Sequence, residues 1–128
     1  MPQNESTLEE AAVLFKALAD PNRLRILDAL MQGDTCNCEL TEQLGLSANL
    51  LSHHLRTLRQ AGLVNSRRDA VDGRWIYYAV DKETVAYWQG WFSRFFDPHR
   101  VQERRALCGP EGLLEPVDPA QLNLMEIA

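Results

Sequence analysis

The sequence predicts a mainly α chain carrying one β-hairpin. Apolar residues recur at helical spacing in stretches set apart by Asp-Pro and Gly punctuation. After Gly62 the pattern changes to β-prone runs on either side of Ala70-Val71-Asp72-Gly73, and a helical period then returns in an aromatic-rich stretch that stops at Asp97-Pro98. A length of 128 residues, 45% of them hydrophobic, suits one compact domain with a modest core.

Ser6 or Thr7 is expected to cap a first helix through Leu8, Ala11, Ala12, Phe15, Leu18 and Ala19. Asp20 is the expected N-cap of a second helix, with Pro21 at its first position, running through Leu24, Ile26, Leu27 and Leu30 to Gly33. A third helix is expected over residues 36–44 and a fourth over 48–61, joined by Gly45-Leu46-Ser47 and closed by Gly62. Helix, short Gly-containing turn and helix is the helix-turn-helix pattern. Residues 63–69 and 74–80 then add a hairpin wing.

A fifth helix over residues 82–96 repeats Tyr87, Trp88, Trp91, Phe92, Phe95 and Phe96 every three or four positions. That stripe exceeds what one small domain buries, so pairing of two copies into a homodimer is expected. The expected organisation is a winged helix-turn-helix domain over 1–97 and a C-terminal tail over 98–128 that carries Cys108. Within the tail, Asp118-Pro119 starts a short helix over 120–126.

The net charge of -5 argues against non-specific coating of nucleic acid, but a binding surface answers to its local field. Across residues 53–75 the basic residues Arg56, Arg59, Arg67, Arg68 and Arg74 face only Asp69 and Asp72. A helix entering the major groove brings its N-terminal turns to the base edges, where short polar side chains and hydrogen-bonding rings are useful. Ser47, Asn49, Ser52 and His53 supply them on the fourth helix, with Arg56 behind, while Arg67, Arg68 and Arg74 flank the hairpin tip within reach of phosphates. Double-stranded operator DNA is the expected partner. Leu51, Leu55 and Leu58 form the anchoring face, Leu50 points partly outward, and of the adjacent rings His53 and His54 one reaches outward.

Phe15-Lys16-Ala17-Leu18-Ala19-Asp20-Pro21-Asn22-Arg23-Leu24-Arg25-Ile26-Leu27, Ser52-His53-His54-Leu55, Leu58-Arg59-Gln60-Ala61-Gly62-Leu63-Val64 and Gly73-Arg74-Trp75-Ile76-Tyr77-Tyr78 occur in that order. Over roughly residues 8–96 the chain is similar to the ArsR/SmtB family of metal-responsive repressors. The resemblance implies a winged-helix homodimer, paired through its first and last helices, that leaves a palindromic operator when an ion binds. Ala48 and Leu50 stand where the family commonly has Gln and Thr, which points to a different operator sequence.

The resemblance also directs attention to Cys36-Asn37-Cys38, since family members often carry Cys-x-Cys with a third Cys three positions on, where this chain has Thr41. A pyramidal As(III) or Sb(III) site takes three thiolates, and Cys108 is the remaining cysteine. Cys36, Cys38 and Cys108 are therefore the expected ligand set. Cd(II) or Pb(II), bound by the same thiolates plus a carboxylate or water, is the alternative within the fold, and a thiol redox or persulfide switch is a third. The family's His and carboxylate site on the last helix is disfavoured, because residues 78–96 hold no His, and His99 beside Asp97-Pro98 reads as a surface residue. No nucleophile-base arrangement or phosphate loop suggests an enzyme. No apolar run nears the roughly 20 residues that span a bilayer, and the polar start lacks a signal-peptide pattern, so a cytoplasmic location is expected.

Overall fold

The computed structural model describes residues 5–103 and 107–110. Its elements run α1 (Glu5–Leu18), α2 (Pro21–Leu30), β1 (Thr35–Cys36), α3 (Asn37–Leu44), α4 (Ala48–Gln60), β2 (Val64–Arg68), β3 (Ile76–Val80) and α5 (Lys82–Phe95), followed by a 3-10 turn at Pro98–Arg100. The chain divides into two units, Met1–Phe92 and Ser93–Ala128. Five α-helices and a wing thus match the expected class. The short helix expected over 120–126 lies outside the described residues.

Local chemistry explains the boundaries. Asp20 accepts hydrogen bonds from the backbone N–H groups of Asn22 (2.8 Å) and Arg23 (3.2 Å), and Pro21 needs no partner at the first helical position. Gly45 stops α3 with φ 68°, a left-handed conformation that a side chain would resist. The end of α3 is also tied to α2, since Arg25 donates to the Leu44 carbonyl at 3.0 Å. Asp81 caps α5 by accepting from the Thr84 N–H at 3.0 Å.

Two expectations need correction. The first helix begins at Glu5, so Ser6 and Thr7 lie inside it rather than capping it. Its buried face is Ala11, Leu14 and Ala17, whereas Leu8, Ala12 and Phe15 remain exposed. The helix is apolar on two sides, and the spacing of apolar positions does not tell which side meets the core.

The second correction is the strand β1. The sheet is three-stranded and antiparallel in the order β1-β3-β2, with Thr35 opposite Tyr78 and Cys36 opposite Tyr77. A two-residue strand is too short to show alternation, and its existence depends on β3 lying alongside it. Cys36 consequently ends β1 and is the extended N-cap of α3 rather than its first helical residue.

Ile26, Leu40, Leu51, Leu55, Leu58 and Trp91 are almost completely buried and bring α2, α3, α4 and α5 onto one core. Among the described residues every buried side-chain nitrogen or oxygen has a hydrogen-bond partner. The aromatic stripe of α5 is divided: Trp88 and Trp91 are buried, while Tyr87 is 51% exposed.

Candidate nucleic-acid interface and thiol pair

A 13-residue helix such as α4 is marginal in isolation, so its position depends on what its apolar face buries. Leu51, Leu55 and Leu58 provide that face, and His54 joins them with only 4% of its surface exposed. On the opposite side Asn49, Ser52, His53, Arg56 and Arg59 project outward. Leu50 is 39% exposed, at the edge of that surface. Ser47 is exposed but already employed, its hydroxyl accepting from the Leu50 N–H at 3.1 Å as the N-cap.

His54 is buried in company. An arginine only donates, so the 3.2 Å contact from Arg23 Nη1 makes His54 Nδ1 an acceptor and puts the ring proton on Nε2, 3.9 Å from Asp20 Oδ1. Arg23 also donates from Nε to the Ala17 carbonyl (2.5 Å) and from Nη2 to that of Lys16 (3.3 Å). One guanidinium therefore ties the last turn of α1 to the outward-facing helix α4. Burial pushes the His54 imidazole down, and the nearby cation of Arg23 and the ring of His53 add to this against the pull of Asp20.

At the wing each predicted arginine has an intramolecular partner. Arg67 lies over the Tyr77 ring, 4.5 Å from its centroid. Arg68 donates to the Gly73 carbonyl at 2.7 Å. Arg74 grips Asp72 through two hydrogen bonds, Nη2 to Oδ2 at 2.8 Å and Nε to Oδ1 at 3.0 Å, which holds the Asp72 carboxyl below its usual range. Asp69, which in the sequence reads only as charge, organises the turn by accepting from the N–H groups of Val71 and Asp72.

Arg59 enters the site only through the fold. With Arg56, Gln60, Val64, Asn65 and Ser66 it lines a polar groove between the end of α4 and β2. A signal for it exists in the sequence, as Arg56 and Arg59 are three apart on one helix face, but the groove needs β2 as its second wall.

Cys36 is 5% exposed, whereas Cys38 and Cys108 are exposed, and all three are free thiols. Cys38 lies in the first turn of α3, where its N–H donates to Asn37 Oδ1. Thr41, at the position of the expected third thiol, instead donates its hydroxyl to the Cys38 carbonyl at 2.8 Å. The neighbouring Thr35 hydroxyl donates to the Glu39 carboxylate. Among the described residues no three His, Cys, Asp or Glu side chains converge as a metal site. His99, outside the expected ligand set, pairs with Asp97 at 3.0 Å.

The family model for bacterial regulatory proteins of the arsR family matches residues 20–66, from the cap of α2 into the first wing strand. The nodulation protein NolR of Rhizobium meliloti is 36% identical over 105 residues, covering 80% of this chain and 84% of that protein. The chain belongs to the arsR family. Another member, the arsenical resistance operon repressor of Staphylococcus xylosus, is 37% identical over 79 residues, 62% of this chain and 73% of that one. Among solved structures, reduced HlyU from Vibrio cholerae aligns with a TM-score of 0.57 at 35% identity, covering 73% of this chain and 95% of that one. The matched span takes in α2, α3 and α4 and the first residues of β2. No described helix is long and apolar enough to cross a membrane.

Proposed function

We propose that this arsR-family protein is a homodimeric transcriptional repressor, bound to double-stranded operator DNA through α4 and the wing, and released by a thiophilic ion held by Cys36, Cys38 and Cys108. The observation that carries the ion reading is the placement of Cys36 and Cys38 at the start of α3, the helix that packs beneath α4.

On DNA, Asn49, Ser52 and His53 face the base edges, and Ser47 offers the phosphate backbone the N-terminus it caps. Arg56 and Arg59 hold a phosphate in the groove against β2, while Arg67, Arg68 and Arg74 meet phosphates along the wing. The Arg74–Asp72 pair lies in solvent, where an ion pair is weak, so exchanging the carboxylate for a phosphate costs little.

Two thiols alone do not satisfy arsenite, whose pyramidal coordination takes three sulfurs, and the hydroxyl of Thr41 is committed to Cys38. Cys108, exposed in the second unit, supplies the third thiolate. When bound, the ion would supply bonds to sulfur that draw Cys36, the N-cap of α3, and Cys38, in its first turn, to one point. The first turn of α3 then distorts and displaces α4 packed on it. The relative named as an arsenical resistance operon repressor supports arsenite as inducer; antimonite takes the same three thiolates, and Cd(II) and Pb(II) fit them with a carboxylate or water added.

A second reading has an observation of its own. Cys38 and Cys108 are both exposed and Cys36 is not, the division expected of a thiol switch with two accessible partners. The test is titration of the protein on the DNA upstream of its own reading frame. Specific binding that weakens with salt is expected, with release by arsenite and loss of that release in Cys108→Ser. Release by peroxide but not by arsenite, Cd(II) or Pb(II) supports the redox switch instead, and absence of specific binding overturns the DNA reading.

A further inference from the structure

We propose that Tyr77 is a positioning residue that transmits the state of the Cys36 thiol to the wing arginine Arg67. This rests on the reading of Cys36 as an ion ligand.

The sheet register carries the inference. Cys36 on β1 is directly opposite Tyr77 on β3, and Tyr77 is directly opposite Arg67 on β2. Directly opposed residues of antiparallel strands project to the same face, so thiol, phenol ring and guanidinium form one row across all three strands. Burial is graded along it, from the buried Cys36 through the half-buried Tyr77 to the exposed Arg67. The last step is a direct one, with the guanidinium of Arg67 4.5 Å from the Tyr77 ring centroid.

The first step is the one that gives way. Strand β1 consists of Thr35 and Cys36 alone, so its pairing with β3 rests on two residues. Cys36 is buried and Cys38 exposed, and a single ion requires both sulfurs on one centre. Satisfying that requirement draws Cys36 out of its place beside Tyr77. The ring is then unsupported on one side, and Arg67 on the other side is deprived of a fixed platform. An exposed cation–π interaction is worth roughly 2- to 5-fold in an equilibrium, and two wings on one operator multiply this to roughly 4- to 25-fold. That overlaps the roughly 5- to 150-fold typical of allosteric coupling.

The experiment measures affinity for the upstream DNA with and without arsenite or Cd(II), alongside thiolate-to-ion charge-transfer absorbance as an independent measure of ion binding. The variants are Tyr77→Phe, which keeps the ring, Tyr77→Leu, which removes it, and Arg67→Ala. Y77F is expected to release DNA like the unaltered protein. Y77L and R67A are expected to bind the ion with the same absorbance yet to show release diminished by roughly 2- to 5-fold per wing. Combining them is expected to cause no further loss, because both interrupt one row. Release undiminished in Y77L overturns the proposal. Should Y77L fail to fold, undiminished release in R67A does the same. If the unaltered protein shows neither absorbance nor release with either ion, the ion reading itself fails and takes this one with it; absorbance with release but no effect of either variant overturns the relay alone.

Discussion

At the scale of single residues, the least expected role belongs to Arg23, which joins the carbonyls of Lys16 and Ala17 to the ring of His54. Arg23→Ala is expected to cost about 1–3 kcal/mol in urea unfolding, because it leaves a buried acceptor unmatched. His54 adds a pH dependence whose sign follows from burial. Its folded-state pKa is depressed while the unfolded chain keeps the ordinary value of about 6.5, so the unfolded state takes up the proton first. The stabilisation is complete above that value and is lost as the pH falls below it through the folded pKa. Asp20, Asp72, Asp81 and Asp97, whose pKa values are lowered, lose theirs only beneath the ordinary carboxylate value of about 3.9. The melting temperature is therefore expected to decline as the pH falls below about 6.5, and His54→Gln, which keeps an acceptor for Arg23, is expected to flatten that decline. An unchanged slope in H54Q would assign the acid sensitivity to other groups. Adjacency on a helix already keeps His53 and His54 from both facing inward; that 54 is buried, and that an arginine 31 residues away meets it, depends on α2 crossing α4.

At the scale of elements, the helices are readable because their stop signals are local. Asp20 acts through its carboxylate on the next turn, Pro21, Gly45 and Gly62 through their own backbone, and the boundaries of α2, α4 and α5 fall within about a residue or two of expectation. β1 is not readable, since a two-residue strand has no period, and the groove of Arg56 and Arg59 is not, since its other wall comes from β2. That groove leads to a prediction about salt. Arg59→Ala is expected to weaken operator and random DNA alike and to reduce the slope of log affinity against log salt by about 0.9 for each phosphate no longer neutralised. A fluorescence anisotropy series over salt concentration measures it. A selective loss on the operator would mean that Arg59 reads a base instead.

At the scale of the whole molecule, the proposed homodimer would cover what one chain leaves exposed. Leu8, Val13 and Phe15 on α1 and Tyr87 on α5 are exposed, and Phe15 stacks on Phe92 with ring centroids 5.2 Å apart. Phe15→Glu and Tyr87→Glu are each expected to yield monomers in sedimentation velocity and to lose most operator affinity, since two recognition helices bind together. Monomers that still bind as tightly as the unaltered protein would show that the second copy is dispensable.

The helices, the turns between them, the family and the two neighbouring thiols are legible in the chain before it folds, because caps, glycines and residue spacing act over a few positions. Folding settles the rest: which face of α1 meets the core, that Arg23 reaches His54, that Arg74 is held by Asp72, and that Cys36, Tyr77 and Arg67 share one row. Except for the Arg74 pair, which belongs to the folded wing tip, these relations join residues far apart in the chain. Their register and distances come into being only when the strands pair and the helices pack.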